Sequence, residues 1–450
     1  MNRLAFALVA LCCACNSGPV AKDSEKASPD TKPSDTRKAG SDWPIFLGPS
    51  SNSVSTEKGI LKNWPKEGLK VLWEVEMGLG YAPVVISEGR LFHFDRFGKN
   101  CRLTCRTSET GKLLWKFDYP TDYQDYYGYD PGPRCGPMVD GDRVYIHGPE
   151  GMLHCVNVAD GKLIWKVDTA AKFNVLQNFF GVGSCPIVED DLLIVQVGGS
   201  ADEAPPNDHL KAKGNGSGIV AFDKKTGEVK WKSSDQLASY SSPVIKTIQG
   251  ERWGFMFARG GLVAFNPKNG KVHFEFPWRA KFRESVNASN PVVVGDEVLI
   301  TECYQIGGAL LKVGKDKPEV IWSDEKKGRE QSLACHWNTP IHVNGYVYGS
   351  SGRHEAQAEL RCVDWKTGEV QWSQKRLTRS SLLLVDDHFL CMTEDGELIL
   401  LEVNPKAYKE VSRWRTDLVP PCWAAPILSH GLLYIRGKDR LLCCELIPNK

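Results

Sequence analysis

The chain reads Cys105-Arg106-Thr107-Ser108-Glu109-Thr110-Gly111-Lys112-Leu113-Leu114-Trp115 at the end of a pattern that recurs along most of its length. The same eleven-residue spacing, from a small residue through a Gly turn to Trp, recurs at Cys155–Trp165, Ala221–Trp231 and Cys362–Trp372. The glycine supplies the positive φ of a tight hairpin turn, and the Trp offers a wide ring for packing. A Pro-led strand, a polar turn and a second strand precede each copy. Repeats of about 40 to 50 residues with several short strands are typical of β-propellers.

Two series of residues count the copies. The closing aromatic falls at Trp73, Trp115, Trp165, Trp231, Phe274, Trp322, Trp372 and Trp414. The opening position falls at Pro83, Pro137, Pro186, Pro243, Pro291, Pro340, Leu382 and Pro426. Trp73 precedes any complete copy, whereas the last copy lacks an aromatic. The sequence therefore predicts an all-β fold, an eight-bladed β-propeller of four-stranded antiparallel blades. The N-terminal strand Val71–Val75 is expected to join the C-terminal blade and close the ring, which removes unpaired strand edges.

The repeated motif resembles the tryptophan-docking motif of quinoprotein-type, PQQ-like propellers, over about residues 43–446. The stretches Trp43-Pro44…Gly48-Pro49 and Tyr129…Gly132-Pro133-Arg134 are also similar to PQQ-like repeat proteins. That family includes alcohol dehydrogenases that hold pyrroloquinoline quinone (PQQ) and non-catalytic relatives such as the outer-membrane-assembly lipoprotein BamB. The resemblance implies the fold and leaves the activity open. We favour the non-catalytic, BamB-like branch.

The N-terminus has the features of an export signal. Arg3 is followed by the apolar run Leu4–Leu11 and by Cys12-Cys13-Ala14-Cys15. We expect residues 1–15 to be a signal peptide with lipoprotein cleavage before Cys15, which would be acylated; plain secretion is the alternative, because Cys12 stands where such a cleavage box usually has Leu. Residues 16–42, rich in Ser, Pro, Lys and Asp, predict a disordered tether, and residues 43–450 the propeller. These features predict a periplasmic or outer-membrane lipoprotein that meets the membrane only through its anchor.

Charge and cysteine placement narrow the class of protein. The net charge of +1 does not suggest a nucleic-acid-binding protein, which usually carries a basic patch. Although the chain has 15 cysteines, Cys105, Cys155, Cys362 and Cys443 occupy the small-residue position of the repeat, which predicts buried small apolar side chains. The resemblance to PQQ dehydrogenases, which carry a vicinal disulfide, raises that possibility for Cys443-Cys444. Adjacent strand residues point to opposite faces, which favours an ordinary strand.

The alternation of strands predicts which face of the disc binds a partner. In a four-stranded antiparallel blade, two turns lie on one face: the turn between the first and second strands and the turn between the third and fourth strands. In this sequence these turns are uniformly short, so we call this face the short-turn face. The other connections include 117–134, 168–184, 198–217, 275–289 and 323–338, and they define the loop-rich face. Long loops usually serve function, so we expect the site on the loop-rich face.

Residues just before each innermost strand should ring the channel mouth on the loop-rich face. They are Tyr81, Arg134, Ser184, Tyr240, Asn290, His336, Trp337, Arg379 and Trp423. These guanidinium, amide, imidazole and aromatic groups could hold a planar or anionic ligand or a partner. Alternatively, they fill the funnel and bond neighbouring loop backbones. The loop Tyr119–Tyr129, with its five tyrosines, is either a contact lid for a protein or glycan or a self-packed cap.

The sequence predicts neither a catalytic set nor a metal site. His354-Glu355 lacks the second His of a zinc-binding helix, and no Glu, Asn and Asp set maps onto the calcium and quinone site of the dehydrogenases. We therefore expect no cofactor and predict a scaffold that binds a protein, a glycan or a small molecule. The alternatives are a PQQ-dependent oxidoreductase with PQQ and Ca²⁺, and a glycan or small-molecule sensor.

Overall fold

The computed structural model describes residue 37, residues 39–201 and residues 211–449. These residues fold into an eight-bladed β-propeller of four-stranded antiparallel sheets, as the repeat count predicted. The predicted signal peptide, Cys15 and most of the predicted tether lie outside the described residues. No helix among the described residues is long and apolar enough to cross a membrane.

The first four blades follow the repeat in chain order. Blade 1 contains β2 (Val85–Ser87), β3 (Arg90–Phe97), β4 (Asn100–Thr107) and β5 (Leu113–Pro120). Blade 2 contains β6 (Met138–Asp140), β7 (Arg143–His147), β8 (Met152–Asn157) and β9 (Leu163–Asp168), and is followed by the short helix α1 (Thr169–Phe173). Blade 3 contains β10 (Ile187–Glu189), β11 (Leu192–Gln196), β12 (Ile219–Asp223) and β13 (Val229–Ser233). Blade 4 contains β14 (Val244–Ile248), β15 (Glu251–Ala258), β16 (Gly261–Phe265) and β17 (Val272–Pro277).

The last four blades continue the same order. Blade 5 contains β18 (Val292–Val294), β19 (Glu297–Glu302), β20 (Gly307–Lys312) and β21 (Glu319–Ser323). Blade 6 contains β22 (Ile341–Val343), β23 (Tyr346–Ser351), β24 (Glu359–Asp364) and β25 (Val370–Gln374), with a 3-10 turn at Glu355–Gln357. Blade 7 contains β26 (Ser380–Val385), β27 (His388–Thr393), β28 (Glu397–Glu402) and β29 (Glu410–Arg415). Blade 8 contains β30 (Ile427–Ser429), β31 (Leu432–Arg436) and β32 (Arg440–Glu445), and β1 (Val71–Glu76) is its outer strand.

The N-terminal strand closes the ring as predicted. β1 pairs antiparallel with β32, and Trp73 lies opposite Cys443. Without β1, the outer edge of β32 would expose a row of unpaired backbone groups. Cys443 and Cys444 are buried ladder residues of β32, in keeping with the ordinary-strand interpretation.

The repeated motif joins each blade to the next. The Trp115 indole N–H donates to the backbone oxygen of Val158 in blade 2, at 2.9 Å. A Cβ on Gly161 of blade 2 would lie only 2.6 Å from the Trp115 ring. Trp73, Trp165, Trp322 and Trp372 donate in the same way to backbone oxygens of the following blade. The Trp and the turn of its neighbour thus pack as one contact, repeated around the ring.

Cysteine fills the small position opposite this aromatic. Cys105 pairs with Trp115 and Cys155 with Trp165 across the outer two strands. The four cysteines predicted to be small core residues are fully buried: Cys105, Cys155, Cys362 and Cys443.

The segment before β1 crosses the short-turn face, a feature that the repeat pattern does not predict. Trp43, only 2% exposed, bridges to Ile86 in β2, and Val54 bridges to Leu384 in β26. The Lys246 ammonium donates to the Ser50 backbone oxygen across the channel. This strap, residues 43–60, therefore covers the channel on the short-turn face.

The described residues before the strap are also bound to the ring. Arg37 is buried and donates to the Ile447 backbone oxygen and to the Glu445 carboxylate. Ser429 donates its hydroxyl to the Ser41 backbone oxygen. Residues 37 and 39–42, the described part of the predicted tether, are thus held against the ring.

Candidate functional site

The loop-rich face opens into a cavity on the propeller axis, the central cavity, with a volume of about 490 Å³. Phe46 and Leu47 of the strap are among its lining residues, so the strap contributes to its floor. Seven of the nine predicted mouth residues line it: Tyr81, Arg134, Tyr240, His336, Trp337, Arg379 and Trp423. Most of the side chains predicted from strand alternation therefore lie together in one cavity.

A chain of stacked rings forms one wall of the central cavity. The ring centroids of Tyr81 and Trp423 are 4.5 Å apart, and those of Trp423 and Trp337 are 5.1 Å apart. His336 meets Trp337 edge-on at 5.1 Å and lies 5.7 Å from Tyr304. This wall offers flat apolar surface with polar edges, which suits an aromatic side chain or a sugar ring.

Arg379 is fixed against this wall by a buried carboxylate. Its guanidinium makes two hydrogen bonds to Glu394, at 2.8 and 2.6 Å, and its centre lies 4.5 Å from the Trp337 ring centroid. The Trp423 indole N–H donates to the same carboxylate at 2.9 Å. Glu394 thereby neutralises Arg379 and orients both rings.

His336 is a neutral group at this site. Burial, together with the cations Arg379 and Arg353, lowers the pKa of His336 to about 3. Its Nε2 lies 3.2 Å from the Tyr304 hydroxyl, while Nδ1 has no hydrogen-bond partner among the described residues. Near neutral pH, His336 therefore offers a hydrogen bond without a charge.

Arg134 holds the tyrosine loop. It donates to the Asp130 and Phe180 backbone oxygens at 3.2 and 3.1 Å and lies 3.4 Å from the Asp125 carboxylate. Its guanidinium centre is 5.2 Å from the Phe180 ring. Arg134 thus matches the alternative interpretation, in which a mouth residue bonds neighbouring loops.

Two predicted mouth residues do not reach the central cavity. Ser184 faces a second cavity instead, because its neighbours Gly183 and Cys185 face the axis and successive extended residues point to opposite sides. Asn290 is buried and accepts from the Ser242 backbone N–H at 2.8 Å, so it links blades 4 and 5. The prediction that these two side chains ring the mouth was wrong.

The second cavity, the side cavity, lies between the loops of blades 2, 3 and 4 and has a volume of about 480 Å³. The buried or half-buried polar side chains in its lining include Tyr123, His147, Glu150, Ser184, Gln196 and Arg259, and its exposed lining residues include Asp122.

The tyrosine loop is both a packed cap and an exposed rim. Tyr119 and Tyr123 are buried, whereas Tyr126, Tyr127 and Tyr129 are 47%, 48% and 64% exposed. Tyr127 and Tyr129 lie 5.8 and 5.9 Å from Phe180, at the edge of the central cavity. We call Tyr126, Tyr127, Tyr129 and Phe180 the aromatic rim.

Sequence reasoning missed several lining residues because they do not occupy the position before an inner strand. Phe180 comes from the middle of a long loop, and Tyr304 and Arg353 come from connections between second and third strands. Arg353 lies over the Tyr304 ring at 4.6 Å. The length of these connections was the available signal, but length does not say which residue turns inward.

The described residues do not fit a calcium-dependent quinone site. Among them, no group of three or more His, Cys, Asp and Glu is placed to hold a metal ion. Glu284 is the one carboxylate among the described lining residues of the central cavity, and Glu394 is bonded to Arg379 and Trp423. Ca²⁺ takes six to eight oxygen ligands, with carboxylates prominent among them, so a single unpaired carboxylate is a poor match for it. We derive no redox step for this cavity.

Comparison with known proteins gives two kinds of relative. The family described as outer membrane protein assembly factor BamB matches residues 99–374. The chain is 24% identical over 290 residues to the dehydrogenase subunit of quinone alcohol dehydrogenase from Komagataeibacter europaeus, covering 58% of this chain but 36% of the relative. It is 18% identical over 341 residues to BamB of Yersinia pestis, covering 73% of this chain and 77% of the relative.

A solved structure is similar in fold. The crystal structure of BamB from Moraxella catarrhalis aligns with a TM-score of 0.56 at 14% identity, covering 85% of this chain and 99% of that one. The chain thus spans about a third of the length of this dehydrogenase relative and nearly all of this BamB structure.

Proposed function

The chain belongs to the family of the outer membrane protein assembly factor BamB, and on this premise we propose that it is a non-enzymatic scaffold that binds a protein partner through its loop-rich face. We further propose that it is exported and anchored at the membrane through Cys15. In this role the protein needs only rigidity, because eight blades hold the loops in place and a partner then binds with little loss of loop entropy.

The aromatic rim carries this proposal. Three tyrosines about half or more exposed lie together beside a cavity of about 490 Å³. Exposed tyrosine clusters are costly to leave in water and are enriched at the centres of protein interfaces. Arg134 and Asp125 hold the rim from below, so its geometry is set before a partner arrives.

The proposal is tested by capturing partners from native membranes with the intact chain. Replacing Tyr127 and Tyr129 together by Ser should weaken capture, since each interfacial tyrosine can contribute about 2 kcal/mol or more. The matched control is Val320→Ser, because Val320 is 47% exposed but lies on the outer strand β21. Equal capture by the rim variant and the control would reject the loop-rich face as the docking surface.

A glycan or small-molecule ligand in the central cavity is the second candidate. The stacked rings of Trp337 and Trp423 favour it, because sugar rings pack on flat aromatic faces whose edges carry hydrogen-bonding groups. A thermal-shift screen with oligosaccharides tests it, since a ligand that binds the folded state raises Tm. Trp337→Leu should abolish the shift if the ligand sits on this wall.

The quinone-dependent alternative has a direct test as well. Titration of the purified protein with PQQ and Ca²⁺, followed by absorbance and by dye-linked alcohol oxidation, would detect it. Saturable binding with turnover would overturn the scaffold proposal.

A further inference from the structure

The side cavity contains a buried cation without a counter-ion. Arg259, directly after β15, is 5% exposed, and no ion pair joins it to a carboxylate among the described residues. Its Nε and Nη2 atoms also have no hydrogen-bond partner among the residues that the structure describes. Leaving a guanidinium buried and unpaired is costly, so such a group is usually matched by an anion.

The groups around Arg259 increase this cost. Arg279 and Arg283 face it with the same charge, and burial followed by the repulsion of Arg279 lowers the pKa of Arg259 to about 10. Arg259 therefore remains charged near neutral pH. The Phe179 ring, 5.7 Å from the guanidinium centre, packs on one side and offers no negative charge.

The rest of the cavity lining can bind hydroxyl groups. Tyr123 OH, Ser184 Oγ and Gln196 Nε2 are buried and have no partner among the described residues. His147 has a pKa lowered to about 4 by burial and is neutral near pH 7. Because the Thr169 hydroxyl donates to Gly151, His147 Nε2 must donate to Thr169, which leaves Nδ1 as an unpartnered acceptor.

Two carboxyl groups line the side cavity, and the half-buried one, Glu150, restricts which anion fits, whereas Asp122 is exposed. Burial raises the pKa of Glu150, and its Oε2 accepts from the Thr121 hydroxyl while Oε1 has no partner among the described residues. A highly charged anion would be repelled by this group, whereas a hydroxyl of a singly charged ligand could donate to it.

We propose that the side cavity binds a small hydroxylated carboxylate, such as a sugar acid, with the carboxylate on Arg259 and the hydroxyl groups on Ser184, Gln196, Tyr123 and His147. A volume of about 480 Å³ is ample for such a ligand. This site lies off the propeller axis and does not depend on the partner surface proposed above.

Calorimetric titration of the full chain tests the assignment, with gluconate as the probe. Glucose supplies the hydroxyls without the charge, acetate the charge without the hydroxyls, and sulfate a doubly charged inorganic anion. Gluconate should bind saturably and more tightly than the other three. Binding by sulfate or acetate alone, or no binding by gluconate, would overturn the assignment.

Two substitutions link binding to the cavity. Arg259→Met should weaken gluconate binding by roughly 10- to 100-fold, because it removes charge-assisted hydrogen bonds. The Tm of the free protein should stay the same or rise, since an unpaired buried charge is removed. Ser184→Ala should cause a smaller, few-fold loss of affinity.

The matched control is Arg252→Met in β15, the strand that Arg259 follows, because the Arg252 guanidinium already pairs with Glu189. Its gluconate affinity should equal that of the wild type. A lower Tm for Arg259→Met together with unchanged gluconate affinity would show that Arg259 is structural and would overturn the proposal.

Discussion

Gly161 and Gly141 both have positive φ, +72° and +57°, but only Gly161 faces an aromatic ring. A Cβ on Gly161 would lie 2.6 Å from Trp115, whereas a Cβ on Gly141 meets nothing within 4 Å. Replacing either by Ala adds backbone strain of about 1–2 kcal/mol. Gly161→Ala should cost clearly more, because it also displaces the Trp that joins blades 1 and 2. Denaturant unfolding measures both; equal losses would show that the ring contact adds nothing.

His154 provides a pH-dependent term in stability. It is buried between Tyr119 and Phe117, with ring centroids at 4.4 and 5.4 Å, and burial lowers its pKa to about 4. The unfolded chain binds the proton first as pH falls below about 6.5, so stability is lost between about 6.5 and 4, by up to about 1.4 kcal/mol per pH unit. His154→Phe should flatten this slope in that pH window. An unchanged slope would mean that other groups, such as His147, account for the loss.

At the candidate site, the sequence predicted those residues whose side-chain direction follows from their position in the repeat alone. Seven mouth residues were found because the repeat places them just before an inner strand. Ser184 and Asn290 were misplaced because side-chain alternation and a single hydrogen bond decided their direction. Arg259, on which the proposed carboxylate site depends, was missed because the lack of a counter-ion is visible only in three-dimensional contacts.

Among the elements, those that the repeat encodes were predicted and those outside it were not. Each blade is local in sequence, so turn glycines and closing aromatics located all eight. The strap 43–60 has no periodic pattern, and its partners Ile86 and Leu384 are far along the chain. The covered short-turn face therefore could not be deduced from loop lengths.

The closing strand β1 leads to a prediction about assembly. A chain that begins at residue 77 lacks β1 and exposes the outer edge of β32, which should pair with other copies. Size-exclusion chromatography with light scattering should show oligomers or aggregates. The control begins at residue 39 and keeps β1 and the strap, so it should remain monomeric. A monomeric shorter chain with an unchanged Tm would show that closure by β1 is dispensable.

At the scale of the whole molecule, the two faces have separate roles in the proposed function. The described N-terminal end lies on the short-turn face, where Arg37 bonds Glu445 and Ser41 bonds Ser429. The aromatic rim lies on the loop-rich face. A chain anchored through Cys15 would therefore enter the disc on one side and meet its partner on the other, so that anchoring and binding do not compete for the same surface.

This separation predicts the behaviour of Cys15→Ala. The variant should move from the membrane to the soluble fraction of cells, with the matched Cys13→Ala remaining in the membrane. In a detergent extract, both should capture the partner as well as the wild type, since neither change touches the loop-rich face. Loss of capture by Cys15→Ala alone would place the anchor within the binding surface and contradict the two-face arrangement. Retention of Cys15→Ala in the membrane would instead show that another contact holds the protein there. Replacing Tyr127 and Tyr129 by Ser in the Cys15→Ala variant would then test whether that contact is on the loop-rich face.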